Sequence, residues 1–155
     1  MRRHLPWLIF VMTVACGGGG SGVDTPNDNT NVKPLVVPSG TFDVTSELIV
    51  DHCDQNTDWN GPYDVEIDGT SFSMGPWTGT WTAANKLAVG ESTKDKVTTR
   101  NCTATRWSTV YLTFYSADHF RGTIIYRLAL GGDCGTRVGC STSWTVVGDR
   151  QVPAN

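Results

Sequence analysis

The chain has 155 residues, a formal net charge of −3 and 17% charged residues, and this length suits one domain with a single core. No basic run and no stripe of aromatic and basic residues occurs, so the composition argues against a nucleic-acid partner. Five cysteines in so short a chain are typical of a domain that folds in an oxidising compartment.

The first 15 residues have the layout of a secretory signal. Arg2 and Arg3 form a basic start, and an apolar run of 11 residues follows from Leu5 to Ala15. A membrane-spanning helix needs roughly 20 apolar residues. The shorter run fits the central region of a signal peptide, so residues 1–15 are predicted to be one.

The end of this run, Thr13-Val14-Ala15-Cys16, resembles the lipobox of bacterial lipoproteins, with Thr13 where leucine is usual. The resemblance implies that Cys16 is lipidated and that the lipid anchors the protein to a membrane. Gly17 follows, and not an aspartate that would signal inner-membrane retention. This implies the outer membrane of a Gram-negative cell envelope. The alternative is ordinary cleavage after Ala15, which would release a soluble protein.

Residues 16–39 are predicted to be the lipidated cysteine and a flexible linker. The sequence GGGGSG is followed by a stretch rich in Asn, Asp, Thr and Pro without periodicity. As a flexible coil, such a segment spans on the order of 25 Å root-mean-square. That reach can hold a domain just off a membrane surface.

From Gly40 onward, apolar and polar residues alternate with the period of a β-strand. Asp68-Gly69 is a dipeptide typical of tight hairpins, and a second turn is predicted near Ala84-Asn85. The stretch from Lys96 to Trp107 has no assignable register. Eight strands are predicted, at residues 40–51, 63–68, 70–74, 78–82, 86–91, 108–115, 120–130 and 143–150.

The pattern predicts an all-β fold, a single antiparallel meander of about eight strands in a domain at residues 40–151. Strands with one apolar and one polar face suit a sheet wrapped round a core. Short sequential connections favour a small closed or nearly closed barrel, and a β-sandwich is the alternative. In the first strand, the predicted inward residues are Phe42, Val44, Leu48 and Val50.

The domain resembles the lipocalin-like small β-barrels. Lipocalins open with Gly-x-Trp on the first strand and have an arginine near the last strand that packs over that tryptophan. Here Gly40-Thr41-Phe42 opens the domain, with Phe in place of Trp, and Arg150 closes it. The resemblance favours the barrel topology and implies nothing about a ligand.

Without Cys16, four cysteines remain: Cys53, Cys102, Cys134 and Cys140. An even number in an exported domain indicates two disulfides, and four cysteines allow three pairings. The pairing Cys53–Cys102 with Cys134–Cys140 is expected, because the short spacing of the last two includes two glycines. A zinc site is disfavoured, because the chain has no C-x-x-C pair with a nearby histidine.

No catalytic signature is found. Residues 69–73 fail the G-x-S-x-G pattern because Ser73 stands at the second glycine position. Only His52 and His119 remain after export. The acidic residues of the first two strands fit a solvated outer face better than paired catalytic carboxylates. The chain is therefore predicted to be no enzyme and to need no cofactor.

One loop has oxygen-bearing side chains at alternate positions, Asp54, Asn56 and Asp58, as calcium loops do. The match to the EF-hand pattern fails at Trp59, where glycine is required, and at Val65, where glutamate is required. These three residues are a candidate calcium site. The alternative is an Asn/Asp-rich turn that tolerates tight backbone geometry.

The five tryptophans that follow the predicted signal peptide divide into two groups. Trp81 and Trp144 lie inside predicted strands and are expected in the core. Trp59 and Trp77 stand beside turn residues and Trp107 follows Arg106, so these three are candidate recognition residues that offer a flat surface to a sugar or a protein. The alternative is that these rings plug the ends of the barrel.

These observations predict a non-catalytic envelope lipoprotein with a binding or assembly role. Its partner would be a protein, a glycan or a small apolar ligand. The alternative, implied by the resemblance to lipocalin-like barrels, is a small inhibitor of a hydrolase, and an enzyme is a further alternative. A hollow barrel would favour the ligand binder, and a filled one with a protruding loop would favour a protein partner or the inhibitor.

Overall fold

The regular elements of residues 36–55 and 57–152, which the computed structural model describes, are all β-strands. The predicted signal peptide, Cys16, most of the linker and Asn56 lie outside these residues. No helix in the described ranges is long and apolar enough to cross a membrane. The strands are β1 (Gly40–Asp51), β2 (Gly61–Asp68), β3 (Ser71–Met74), β4 (Trp77–Thr82), β5 (Leu87–Ser92), β6 (Asp95–Thr99), β7 (Cys102–Phe114), β8 (His119–Gly132) and β9 (Cys140–Arg150).

The strands form one antiparallel sheet that closes on itself. Its order is β5-β4-β3-β2-β1-β9-β8-β7-β6, and the additional pairing of β5 with β7 closes the barrel. Eight strands therefore make a closed meander and β6 is an extra strand. The predicted fold class and the barrel are confirmed, and the β-sandwich alternative is wrong.

β6 is the strand that the sequence did not predict, and it follows β5 along the same edge of β7. β5 pairs with Thr109–Thr113 of β7, and β6 pairs with Cys102–Arg106 of the same strand. All five residues of β6 are exposed, so no apolar alternation marks this strand in the sequence. β6 and the first half of β7 therefore form a hairpin that continues past the strand pairs that close the barrel.

The first strand follows its predicted pattern only in its first half. Phe42 and Val44 are buried, whereas Leu48 is 48% and Val50 39% exposed. The register against β9 shifts between Leu48 and Val50, so one extra residue, Ile49, is inserted. A bulge of this kind reverses the side on which the following residues lie, so Val50 is opposite the outward Ser143. Leu48 precedes the bulge and lies opposite the buried Trp144, so the bulge does not explain its exposure. The predicted inward position of Val50 is therefore wrong, and Leu48 is on the inner side of the strand but is not buried.

Aromatic side chains fill the interior of the barrel. At the end where β1 begins, the ring of Phe42 lies 5.3 Å from that of Phe120, and Phe114 lies 5.4 Å from Trp81. Gly148 lies against the ring of Phe120, where a larger residue would clash. Trp81 and Trp144 are 4% and 2% exposed, which confirms their prediction as core residues. The buried apolar set is Phe42, Val44, Val65, Phe72, Met74, Trp77, Trp81, Ala88, Val110, Leu112, Phe114, Phe120, Ile124, Trp144 and Val146.

Two disulfides join the four cysteines, as predicted, but in a different pairing. Cys53 is bonded to Cys140 and Cys102 to Cys134, with Cα atoms 5.3 and 4.7 Å apart. The expected pairing, Cys53–Cys102 with Cys134–Cys140, is wrong. The strand register explains the result. Asp51 lies opposite Thr142, which brings the following Cys53 to the start of β9, and Cys102 lies opposite Gly132 at the end of β8.

Candidate functional site

Both disulfides lie at the same end of the barrel, opposite the end where the chain enters β1. The projecting hairpin of β6 and β7, the end of β8 and the loop at residues 133–139 also lie there. We call residues 93–107 and 127–139 the tip. The three tryptophans proposed for recognition lie in or near this end of the molecule.

Trp77 is part of the core. Its side chain is 0% exposed, and its indole Nε1 donates a hydrogen bond to Ser108 Oγ at 2.9 Å. The backbone N–H of Ser108 in turn donates to Ser92 Oγ at 2.8 Å. A buried indole N–H needs such a partner, and here strand β7 supplies it. The prediction of Trp77 as a recognition residue is therefore wrong.

Trp59 caps the same end of the barrel. Its ring centroid lies 5.1 Å from that of Trp77 and 5.8 Å from that of Trp144. Its backbone N–H donates to Ser46 Oγ at 2.8 Å, which fastens the end of the β1–β2 loop to β1. The side chain is half-buried, and its Nε1 has no hydrogen-bond partner among the described residues. Trp59 thus fits the alternative prediction, that these rings plug the barrel.

Trp107 lies on the outer face of the tip, so it remains a candidate recognition residue. It is half-buried and lies opposite Arg127 in the register of β7 and β8. Lys94 Nζ is 5.4 Å from the ring centroid, within the range of a cation–π contact. An open groove of about 920 Å³ runs past Trp107 and Arg127, and His52 and Val138 also line it.

The inner face of the tip carries a second groove, of about 630 Å³. Val97, Ala104 and Leu130, which are neighbours in the register of β6, β7 and β8, supply apolar lining. Around them the groove is lined by three arginines, namely Arg100, Arg106 and Arg137, and by one carboxylate, Asp133. The three arginines are exposed.

Charge is unevenly distributed over the described residues. The tip contains six basic and two acidic residues, whereas the remaining described residues contain three basic and 11 acidic. The two ion pairs found in the described ranges, His119–Asp149 and Arg150–Asp118, both lie at the opposite end of the barrel. The basic residues of the tip therefore have no ion-pair partner within the described part of the chain. They are Lys94, Lys96, Arg100, Arg106, Arg127 and Arg137.

Asp51 organises the loop that follows β1, a role that sequence reasoning missed. Its carboxylate accepts hydrogen bonds from the backbone N–H groups of Cys53 and Gln55 and from Thr142 Oγ1, at 3.1, 3.1 and 2.8 Å. The bond from Gln55, followed by that from Thr142, lowers the pKa of Asp51. The sequence does contain a signal for this role, namely an aspartate two residues before a loop cysteine. The side chain of Asp often accepts a hydrogen bond from the backbone N–H two residues later in the chain.

The candidate calcium loop is only partly described, because Asn56 lies outside the described residues. Asp58 Oδ2 accepts a hydrogen bond from Asn60 Nδ2 at 3.1 Å, and Asp54 has a left-handed backbone with φ of 53°. Within residues 36–55 and 57–152, no group of three His, Cys, Asp or Glu side chains is arranged to hold a metal ion. The calcium site remains a prediction.

The two histidines of the domain lie at opposite ends of the barrel. His52 is exposed and lines the outer groove of the tip. His119 lies at the start of β8, with Nδ1 2.7 Å from Asp149 Oδ1. The fold therefore does not bring the two imidazoles together.

No protein-family model, curated protein or solved structure matches this chain.

Proposed function

We propose that this chain is a non-catalytic envelope lipoprotein that binds a macromolecular partner through the tip. The observation that carries the proposal is the filled interior. Phe42, Met74 and Trp77 are each 0% exposed and occupy the space that a hollow barrel would offer to a small apolar ligand. Binding is therefore assigned to the outer surface, where the two grooves of the tip lie.

The tip is suited to binding because it is held rigid. One disulfide joins the loop after β8 to the start of β7, and the other joins the start of β9 to the loop after β1. Ordering a flexible loop on binding costs free energy, and a surface that is already ordered avoids this cost.

The anchor and the location belong to the same proposal. The signal-like residues 1–15 and the lipobox-like Cys16 support attachment to the outer membrane of a Gram-negative bacterium. The lipocalin-like assignment is supported by Arg150, which lies opposite Phe42 in the register and whose guanidinium lies close to Gly40. The family resemblance implies an arginine beside the first strand, and the register is consistent with that part of it.

Site-directed photo-cross-linking in cells tests the proposal. A photoreactive residue is introduced at Val138 in the tip, which is 81% exposed. The matched control is Tyr115, which is 61% exposed at the opposite end of the barrel. Both positions are exposed, so neither change should disturb the fold by more than about 0.5 kcal/mol.

The expected result is an adduct from position 138 and none from position 115. A protein partner would give a discrete band, and a glycan would give a smear of higher mass. Equal labelling at both positions, or no adduct from position 138, would contradict binding through the tip.

The hydrolase inhibitor remains a second candidate, because of the loop at residues 133–139. Cys134 lies near its start and Cys140 directly follows it, and both are disulfide-bonded, while Arg137 and Val138 between them are exposed. A protruding, pre-ordered loop is the form in which inhibitors present themselves to an enzyme. Inhibition of an envelope hydrolase by the parent but not by the Arg137→Asp/Val138→Asp variant would favour this candidate.

A further inference from the structure

We infer that the tip binds an anionic polysaccharide, a chain of sugar rings that carry carboxylate, phosphate or sulfate groups. This inference deepens the proposed function and rests on it. It names the chemical class of the partner from the charge and the aromatic surface of the tip.

The first argument is the concentration of unpaired positive charge. The tip has a net charge of +4 and the remaining described residues have one of −8. Like charges held together cost free energy unless a counter-charge is bound, and no described residue forms an ion pair with the six cations. An anionic partner would supply the missing counter-charge, and the acidic barrel would repel it from other surfaces.

The second argument is the type of cation on the inner face. Arg100, Arg106 and Arg137 line one groove. The guanidinium group presents paired N–H donors that match the two oxygens of a carboxylate, phosphate or sulfate group. Asp133 lines the same groove but its Oδ1 accepts a hydrogen bond from the backbone N–H of Gly135 at 3.3 Å. Asp95 lies opposite Arg106 in the register without forming an ion pair with it.

The third argument separates a glycan from other polyanions. On the outer face, Lys94 Nζ lies 5.4 Å from the centroid of the Trp107 ring, and Arg127 lies opposite Trp107 in the register of β7 and β8. Arg127 Nη1 donates a hydrogen bond to Thr109 Oγ1 at 3.2 Å on the same face. An aromatic ring stacks on the apolar face of a sugar, while flanking cations reach the anionic substituents of that sugar. An acidic peptide would use the cations but would not require the indole.

The position of the tip also argues against the anchoring membrane as the partner. The chain enters the barrel at Gly40, at the end where β7 and β8 are joined. The tip is at the other end. Its large exposed apolar side chains, Val97 and Val138, lie on separate elements and do not form the aromatic and apolar surface by which proteins insert into a bilayer.

The test is a binding titration with the purified full chain in a non-ionic detergent. Fluorescently labelled dextran sulfate is the probe, and neutral dextran of the same length is its matched control. Polyglutamate represents an acidic peptide, and vesicles with anionic lipid represent a membrane. Fluorescence anisotropy of the labelled polymers and co-sedimentation with the vesicles measure binding at low and at moderate salt.

We expect dextran sulfate to bind, neutral dextran to bind at least about tenfold more weakly, and the affinity for dextran sulfate to fall about tenfold or more over a fourfold rise in salt. The triple variant Arg100→Gln/Arg106→Gln/Arg137→Gln should lose on the order of tenfold in affinity. The matched control, Lys86→Gln/Arg121→Gln, removes two cations of the barrel body and should change the affinity less than about twofold.

Trp107 distinguishes a sugar from a simple polyanion. Trp107→Ala should weaken dextran sulfate binding by about fivefold or more while leaving polyglutamate binding unchanged, and Trp107→Phe should retain most of the affinity. A thermal melt of each variant confirms that it is folded.

Equal binding by the triple variant and the parent, equal effects of Trp107→Ala on both polyanions, or tighter binding to polyglutamate or vesicles would overturn the inference. These failures differ from failure of the proposed function. A discrete protein adduct from position 138 would reject the glycan and keep the binding role, whereas the absence of any adduct would reject the binding role itself.

Discussion

Replacing Trp77 with alanine tests whether this tryptophan supports the fold or a surface. Its side chain is 0% exposed, and its ring packs against those of Trp59 and Tyr63, with centroids 5.1 and 5.9 Å away. Truncating a buried tryptophan costs about 3–5 kcal/mol through lost burial and the cavity that remains. The change also leaves Ser108 Oγ without its indole donor, which adds about 1 kcal/mol or more.

The expected loss in the free energy of unfolding is therefore about 4–6 kcal/mol. A domain of this size is usually stable by about 5–15 kcal/mol, so the variant should lose a large part of its stability. Trp107→Ala is the matched control because it removes the same side chain from a half-buried surface position. Its expected loss is about 1 kcal/mol or less.

The assay is equilibrium unfolding in denaturant of both variants and the parent, with the disulfides intact. The slope of the transition must stay the same for the comparison to hold, because it reports the surface exposed on unfolding. If Trp77→Ala loses no more stability than Trp107→Ala, the filled interior is wrong, and with it the reason for placing binding outside the barrel.

Three other changes test separate parts of the structure. Cys16→Ser should move the protein from the membrane to the soluble envelope fraction, and unchanged partition without acyl mass on the native N-terminus would contradict the anchor. Non-reducing peptide mapping should join Cys53 to Cys140 across 87 residues; a Cys53 peptide joined to any other cysteine would refute the register of β9. This link should stabilise the fold by roughly 4–5 kcal/mol in the chain-entropy model. Asp51→Asn should destabilise the fold at neutral pH, because the lowered pKa means that the charged carboxylate favours the folded state. The stability difference between the parent and Asp51→Asn should shrink as the pH falls below the ordinary pKa of 3.8 and through the lower pKa of the folded state. A stability difference that is unchanged at about pH 2 would contradict this role of the carboxylate.

Alternation in the sequence predicted most strands because burial on one face of a strand is a local property. β9 is an example, where Trp144 is buried as predicted. β6 was missed for the same reason, since all its residues are exposed and it carries no alternation. The bulge in β1 was missed because it is defined by the pairing with β9 and by no residue of β1 alone.

The candidate site depended on longer-range relationships. Trp77 stands beside Gly75-Pro76, a context that indicates a surface, yet it is fully buried because its indole finds a partner on β7. Trp107, which follows Arg106, was a surface candidate too, and it lies on the outer face. Local sequence could not separate these two rings, because the difference lies in which strand each one faces.

The sequence by itself therefore determined the all-β class, the meander and the presence of two disulfides, because these follow from period-two alternation, short connections and an even cysteine count. The tertiary structure alone decided how the cysteines pair, that Trp77 is buried while Trp107 is on the outer face, and where the cations meet. Lys94 and Arg127, which lie beside Trp107, are 33 residues apart in the chain, and the strand register brings them to one face. Register is set by the pairing of distant segments, so it cannot be deduced from the sequence of one strand alone.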